Sequence, residues 1–66
     1  MRRLNFSAKL DCFRRLKSWS IRELARRVGM RQEHLEYLLE GKHQPQAQDI
    51  FRIQAALDIH FELEDF

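Results

Sequence analysis

The chain contains one cysteine, one proline and two glycines among its 66 residues. Cys12 alone cannot form an internal disulfide, and chains of this size usually rely on disulfides or a partner subunit for stability. The chain also lacks a long apolar run after its Met-Arg-Arg start, so neither a signal peptide nor a membrane span is predicted. We therefore expect one small cytoplasmic domain that self-associates or binds a partner.

The charges are unevenly distributed along the chain, although their sum is only +2. Residues 1–31 contain ten Lys or Arg and two acids, a net charge of +8, whereas residues 32–66 contain two cations and eight acids, a net charge of −6. This division favours an anionic partner for the first half, or one surface complementing another. A mixed, solvated surface is the alternative.

Apolar residues spaced three or four apart predict an amphipathic helix in NFSAKLDCFRRLKSW. The residues expected on its apolar face are Phe6, Leu10, Phe13 and Leu16. Asn5 or Ser7 can cap its start, and Ser18 lies near its end. Trp19 is expected to close the core and Cys12 to be a small buried hydrophobe.

A second helix is predicted after Ser20, because Glu23 three residues later completes a capping box. Its apolar residues are Ile21, Leu24, Ala25 and Val28. Gly29 ends it, since glycine enters the left-handed conformation at no steric cost. A third helix has the apolar residues Leu35, Leu38 and Leu39, and it ends at Gly41.

The last third of the chain begins with the loop KHQPQ around Pro45. A fourth helix is predicted in QDIFRIQAALDI. Its apolar residues are Ile50, Ile53, Ala56 and Leu57. The end, HFELEDF, fits a short helix or a strand. Phe61, Leu63 and Phe66 are too apolar for a solvated tail, so we expect this segment to pack on the core and to supply part of a dimer contact.

The spacing of Ala25, Gly29 and Leu35 predicts a helix-turn-helix over about residues 20–41. From about Leu10 to Leu57 the sequence resembles the Cro/CI-type phage repressor family, also called Xre-like. The matching residues are Leu10, Phe13, Arg14, Ser20, Leu24, Ala25, Gly29, Met30, Leu35, Leu38, Gly41, Lys42, Pro45, Ile50, Ile53, Ala56 and Leu57. The resemblance implies a single all-α, lambda-repressor-like domain, residues 1–66, with a compact bundle of four or five helices.

The resemblance also implies a transcriptional repressor, encoded by a phage or another mobile element, that binds a double-stranded DNA operator as a homodimer. Its third helix would enter the major groove and read bases with Arg31, Gln32, Glu33, His34 and Tyr37. Gln32 can pair with adenine, Arg31 with guanine or a phosphate, and Glu33 with cytosine. The implied phosphate contacts are Arg22, Arg26, Arg27, Lys42 and Gln44.

Two positions depart from the family pattern. Ile21 stands where a glutamine usually clamps a phosphate. Leu39 stands where a glutamate usually pairs with the arginine that corresponds to Arg14, so Arg14 is expected to lack its partner.

The third helix carries three acids, Glu33, Glu36 and Glu40, near a surface where DNA phosphates would repel them. In one account Glu33 reads a base while the other two point past the backbone. In the other, the helix has become a protein-binding or self-associating surface, as in an antiactivator or an antitoxin-like partner. The sequence is compatible with both accounts.

Catalytic and metal-binding patterns are not recognisable in the sequence. His34, His43, His60 and Cys12 do not have the spacing of metal ligands, and no nucleophile has a base and an orienting group near it. The acids of the third helix are expected on a convex surface rather than in a pocket. We therefore expect neither an enzyme nor a cofactor.

Overall fold

The computed structural model describes residues 4–66, apart from the side chain of Leu63. Four helices follow one another: α1 (Asn5–Leu16), α2 (Ile21–Val28), α3 (Gln32–Leu39) and α4 (Ala47–Leu57). A 3-10 turn, Leu63–Asp65, follows near the C-terminus, and no strand lies within the described residues. The all-α prediction is confirmed, and the ambiguous C-terminal segment is a helical turn.

The core forms where the apolar faces of the helices meet. α2 packs against α3 and α4, while α1 packs against α3 and the terminal turn. The buried apolar side chains are Phe6, Leu10, Leu24, Ala25, Val28, Leu35, Leu38, Leu39, Ile53 and Phe61. Burial of this apolar surface is the main force that holds the short helices together. Within residues 4–66, no helix combines the length and apolar character needed to cross a membrane.

The start of α1 differs from the prediction. Leu4 occupies the N-cap position, and neither Asn5 nor Ser7 caps the helix. Ser7 is instead fully buried, and its hydroxyl donates a 2.6 Å hydrogen bond to the carbonyl oxygen of Leu38. A buried hydroxyl needs such a partner, so this contact ties α1 to the end of α3.

The buried apolar face of α1 also ends earlier along the helix than the sequence predicts. Leu16 is 79% exposed and Cys12 is exposed. A step of three residues falls about 60° short of a full helical turn, so the series Leu10, Phe13, Leu16 leaves the buried face. The half-buried Arg14 continues that face instead.

Arg14 has an acidic partner, contrary to the prediction. Its guanidinium donates to the carboxylate of Asp11 at 3.0 and 3.1 Å and to the carbonyl oxygen of Trp19 at 2.7 Å. An acid one turn earlier on the same helix thus replaces the glutamate expected on α3. Trp19 packs against the core, as predicted, with its ring 5.9 Å from that of Phe13. Ser18 joins the two helices in a left-handed conformation with φ 58°.

The C-terminal segment packs on the core, as predicted, next to Phe6 of α1. The rings of Phe61 and Phe66 lie 4.6 and 5.6 Å from that of Phe6. The backbone N–H of Phe61 also donates to the side-chain oxygen of Gln54 on α4. The side chain of Leu63 lies outside the described part of the structure, and the dimer contact of this segment stays a prediction. Ala56, expected in the core, is exposed because it lies away from the buried Ile53 face.

Candidate nucleic-acid interface

A tight turn joins α2 to α3. The hydroxyl of Ser20 accepts a hydrogen bond from the backbone N–H of Glu23 at the start of α2. Gly29 adopts φ 71° at its end, and the N–H of Met30 returns to the carbonyl oxygen of Ala25 at 2.9 Å. These are the cap and the left-handed glycine that the sequence predicts. Gly41, with φ 76°, follows α3 as predicted.

The first turn of α3 carries the side chains that are most available to a ligand. Arg31 occupies its N-cap, and Gln32 and Glu33 follow; all three are exposed. Among residues 4–66, none of these side chains has a hydrogen-bond or ion-pair partner. Within the described part of the chain, their donors and acceptors are therefore available to an external partner.

His34 and Tyr37, two further predicted base readers, are held by other side chains. His34 Nε2 lies 3.1 Å from a carboxylate oxygen of the buried Asp49 on α4. The ring of Tyr37 stacks on that of His43 with centroids 4.2 Å apart and planes inclined by 5°, and Tyr37 remains 44% exposed. The sequence assigns His43 no such role, because its stacking on Tyr37 depends on the path of the loop after Gly41, which the sequence pattern does not specify.

Two of the predicted phosphate contacts on α2 already have an acidic partner. The Glu23 carboxylate binds both Arg26 and Arg27, each at 2.8 Å. The hydrogen bond from Arg26 is the main reason why the pKa of Glu23 is lowered, and the same bond raises the pKa of Arg26. The guanidinium of Arg27 also covers the ring of Trp19 at 4.3 Å. Spacings of three and four residues on a helix are the sequence signal for these pairs.

Arg22, Lys42 and Gln44 differ from this arginine pair. All three side chains are exposed, and none has a polar partner in the described part of the chain. Ile21, which stands in the place of the family's glutamine, packs against the core instead. Arg22 is therefore the α2 side chain that is most available to a phosphate.

A shallow groove lies between the α2–α3 turn and the first half of α4, and Glu33, His34 and Arg52 are among its lining residues. Arg52 donates to the carbonyl oxygen of Gly29 at 3.3 Å. For Glu33, the expectation of a convex surface is therefore wrong. In residues 4–66, no group of three His, Cys, Asp or Glu side chains is placed to hold a metal ion.

A capped helix, a glycine turn and a second helix with an exposed polar first turn define a helix-turn-helix domain, the class to which many DNA-binding regulators belong. Residues 13–63 match the family model HTH_3, described as helix-turn-helix. Because this match spans more than half of the chain, the protein belongs to that family, which comprises the Xre and Cro/CI-like domains. The resemblance identified from the sequence is thereby confirmed. No curated protein and no solved structure matches the chain.

Proposed function

We propose that the protein is a transcriptional repressor that binds a two-fold-related operator as a homodimer, with α3 in the major groove. The observation that carries this proposal is the exposed first turn of α3, where Arg31, Gln32 and Glu33 have no polar partner among the described residues. Major-groove recognition needs side-chain donors and acceptors that are free to bind base edges. This turn offers one cation, one amide and one carboxylate for that purpose.

Each of these side chains suits a different base. Gln32 can bind adenine through two hydrogen bonds, Arg31 can bind guanine or a phosphate, and Glu33 can accept from cytosine. His34 directly follows Glu33, and Tyr37 lies about one helical turn further on. Both would contribute through the parts of their rings that Asp49 and His43 leave accessible.

The phosphate contacts are proposed in order of availability. Arg22, Lys42 and Gln44 would bind the DNA backbone most directly, because no described residue occupies their polar groups. Arg26 and Arg27 would contribute less, since they share the charge of Glu23. Cationic contacts release counterions from DNA and supply affinity for any sequence.

The test of base reading is Gln32→Ala. Affinity for the specific site should fall by about 1–3 kcal/mol while binding to random DNA is nearly unchanged, because base contacts carry discrimination. Fluorescence anisotropy with a genomic fragment and a scrambled duplex of equal length would measure both affinities. Equal losses on both duplexes would contradict base reading by Gln32.

The test of phosphate binding compares three arginines. Arg22→Ala should weaken binding to specific and random DNA together and lower the slope of log affinity against log salt by about one. Arg26→Ala should have a smaller effect, because Glu23 already binds Arg26. Arg15→Ala on α1, which lies outside the proposed interface, is the matched control. An effect of Arg15→Ala as large as that of Arg22→Ala would contradict this interface.

Protein binding through α3 is the second candidate function, and the exposed acids Glu36 and Glu40 favour it. If α3 enters DNA, Glu36→Gln should strengthen binding to all sequences, because it removes a charge that repels phosphates. The absence of any DNA binding below roughly 100 μM at 50 mM salt would favour protein binding instead. Sedimentation of the full chain at micromolar concentrations tests the dimer, and a monomer throughout would exclude it.

A further inference from the structure

The outer face of α1 contains an open apolar groove, which we call the α1 groove. Its lining residues are Lys9, Cys12, Phe13, Leu16 and Ile59. Leu16 is one of the most exposed large hydrophobic residues in the described chain. An apolar groove of this kind, with an exposed leucine beside it, is a common feature of surfaces that bind other proteins.

The C-terminal segment does not close this groove. Its two aromatic rings, Phe61 and Phe66, pack around Phe6 near the start of α1. Ile59 forms one wall, and the chain then continues into the terminal turn, where the side chain of Lys9 binds the backbone of His60 and the carboxylate of Asp65. The groove therefore remains open in the described structure.

The rim of the α1 groove is positively charged. Residues 9–17 contain four cations, of which Lys9 is paired with Asp65 of the terminal turn, and one acid, Asp11. That acid already binds both Arg14 and Arg15, and Arg15 remains 72% exposed in its side chain. The ammonium group of Lys17 lies 5.5 Å from the ring centre of Phe13, directly beside the groove.

This charge decides what kind of partner fits the groove. Two copies packed through the same face would bring the cations around Leu16 close together, and like charges across an interface oppose binding. An acidic partner would instead form ion pairs at the rim while its apolar residues fill the groove. Amphipathic helices bind grooves in this way, with apolar residues spaced by three or four positions.

We infer that the α1 groove binds an acidic amphipathic helix of another protein, with leucine-like side chains against Cys12, Phe13 and Leu16 and carboxylates facing Arg15 and Lys17. None of these residues belongs to the proposed DNA contacts. The inference therefore stands apart from the proposed function, and each can fail without the other.

The unique thiol of Cys12 allows a direct test with the full chain, because an occupant of the groove should protect this thiol from alkylation by iodoacetamide. The probes are two synthetic helical peptides with the same leucine stripe, one with glutamates and the other with lysines on its flanks. At about 90% occupancy, the glutamate peptide should slow alkylation about tenfold, since only the free protein reacts. The lysine peptide and a DNA duplex should leave the rate unchanged.

Two variants locate the binding site. Leu16→Ala should weaken the glutamate peptide about tenfold, because it removes most of one leucine contact. Phe51→Ala is the matched control, since Phe51 is also exposed but lies on α4 outside the groove. Both residues are on the surface, so both variants should keep the thermal midpoint of the parent chain.

Three results would overturn the inference. The first is that the glutamate peptide does not protect Cys12 from alkylation. The second is that both peptides protect Cys12 equally, which would leave no role for the basic rim. The third is alkylation that slows as the concentration of the protein alone rises, because the groove would then be covered by a second copy of the chain.

Discussion

α2 and α3 are both eight residues long, but they are stabilised in different ways. α2 has a serine cap, an acid in its first turn, two arginines in its last turn and a left-handed glycine after it. α3 also has an acid, Glu33, in its first turn, but it has the cation Arg31 at its N-cap, no side-chain cap, the acid Glu40 at its C-cap and no basic residue in its last turn. The helix dipole favours the charges of α2 and opposes the terminal charges of α3.

The comparison indicates that α3 depends on tertiary contacts for its stability. Leu35, Leu38 and Leu39 are buried against the other helices, and burial of this kind outweighs poor capping. The exposed polar side chains of its first turn, Arg31, Gln32 and Glu33, make no contact of this kind among the described residues. A helix that is held by its buried face can use its exposed first turn for binding.

The largest predicted effect comes from the buried face of α3. Leu35→Ala should lower the free energy of unfolding by about 2–5 kcal/mol, because Leu35 is fully buried and its loss leaves a cavity. Leu16→Ala, at an exposed leucine, is the control and should cost less than about 0.5 kcal/mol. Urea titrations followed by Trp19 fluorescence would measure both. Similar losses would show that α3 is not held by burial.

The next effect tests the turn between the two helices. Gly29→Val should destabilise by about 1–3 kcal/mol, because a β-branched residue is strained at positive φ. No atom lies within 4 Å of an added Cβ, so this cost comes from the backbone and not from a clash. Gly29→Asn should cost less, since asparagine tolerates this conformation. A valine variant that melts like the parent would exclude Gly29 as the required turn residue.

A smaller pair of effects, opposite in sign, tests capping directly. Ser20→Ala should destabilise by about 1 kcal/mol because the N–H of Glu23 loses its acceptor. Arg31→Ser should stabilise by up to about 1 kcal/mol, because it gives α3 the cap that it lacks. The Arg31→Ser variant should also bind specific DNA more weakly, because it removes a proposed DNA contact. Thermal melts would show whether each variant is more or less stable than the parent chain. Two losses of stability of equal size would contradict the difference in capping between α2 and α3.

The smallest effect concerns pH. The pKa of Glu23 is lowered in the folded state, mainly by its hydrogen bond from Arg26. The contribution of Glu23 to stability is therefore fully present above its ordinary pKa of 4.5, and it is lost as the pH falls through the lowered pKa of the folded state. Glu23→Gln should make the free energy of unfolding fall less steeply below about pH 4.5. Glu36→Gln is the control, because Glu36 has no ion-pair partner among the described residues. If the pH dependence of the free energy of unfolding changed equally in both variants, the pairing of Glu23 would not be its cause.

The sequence alone was sufficient to predict the four helices, the turn at Gly29 and the cap at Ser20. Each depends on residues within about four positions of one another, so their spacing can be interpreted without the fold. The binding of Arg26 and Arg27 by Glu23 has the same local character and could have been predicted from its spacing. The exposure of Leu16 could likewise have been recognised from the helical repeat.

Other features were decided by the tertiary structure. Ser7 binds Leu38 across 31 positions of sequence, and His34 binds Asp49 across 15. The partner of such a side chain depends on how the helices pack, and no local pattern specifies it. The same packing leaves Arg31, Gln32 and Glu33 without a polar partner among the described residues, while His34 and Tyr37 contact Asp49 and His43. Local chemistry therefore determined the class of domain, whereas long-range packing decided which of its side chains remain available for binding.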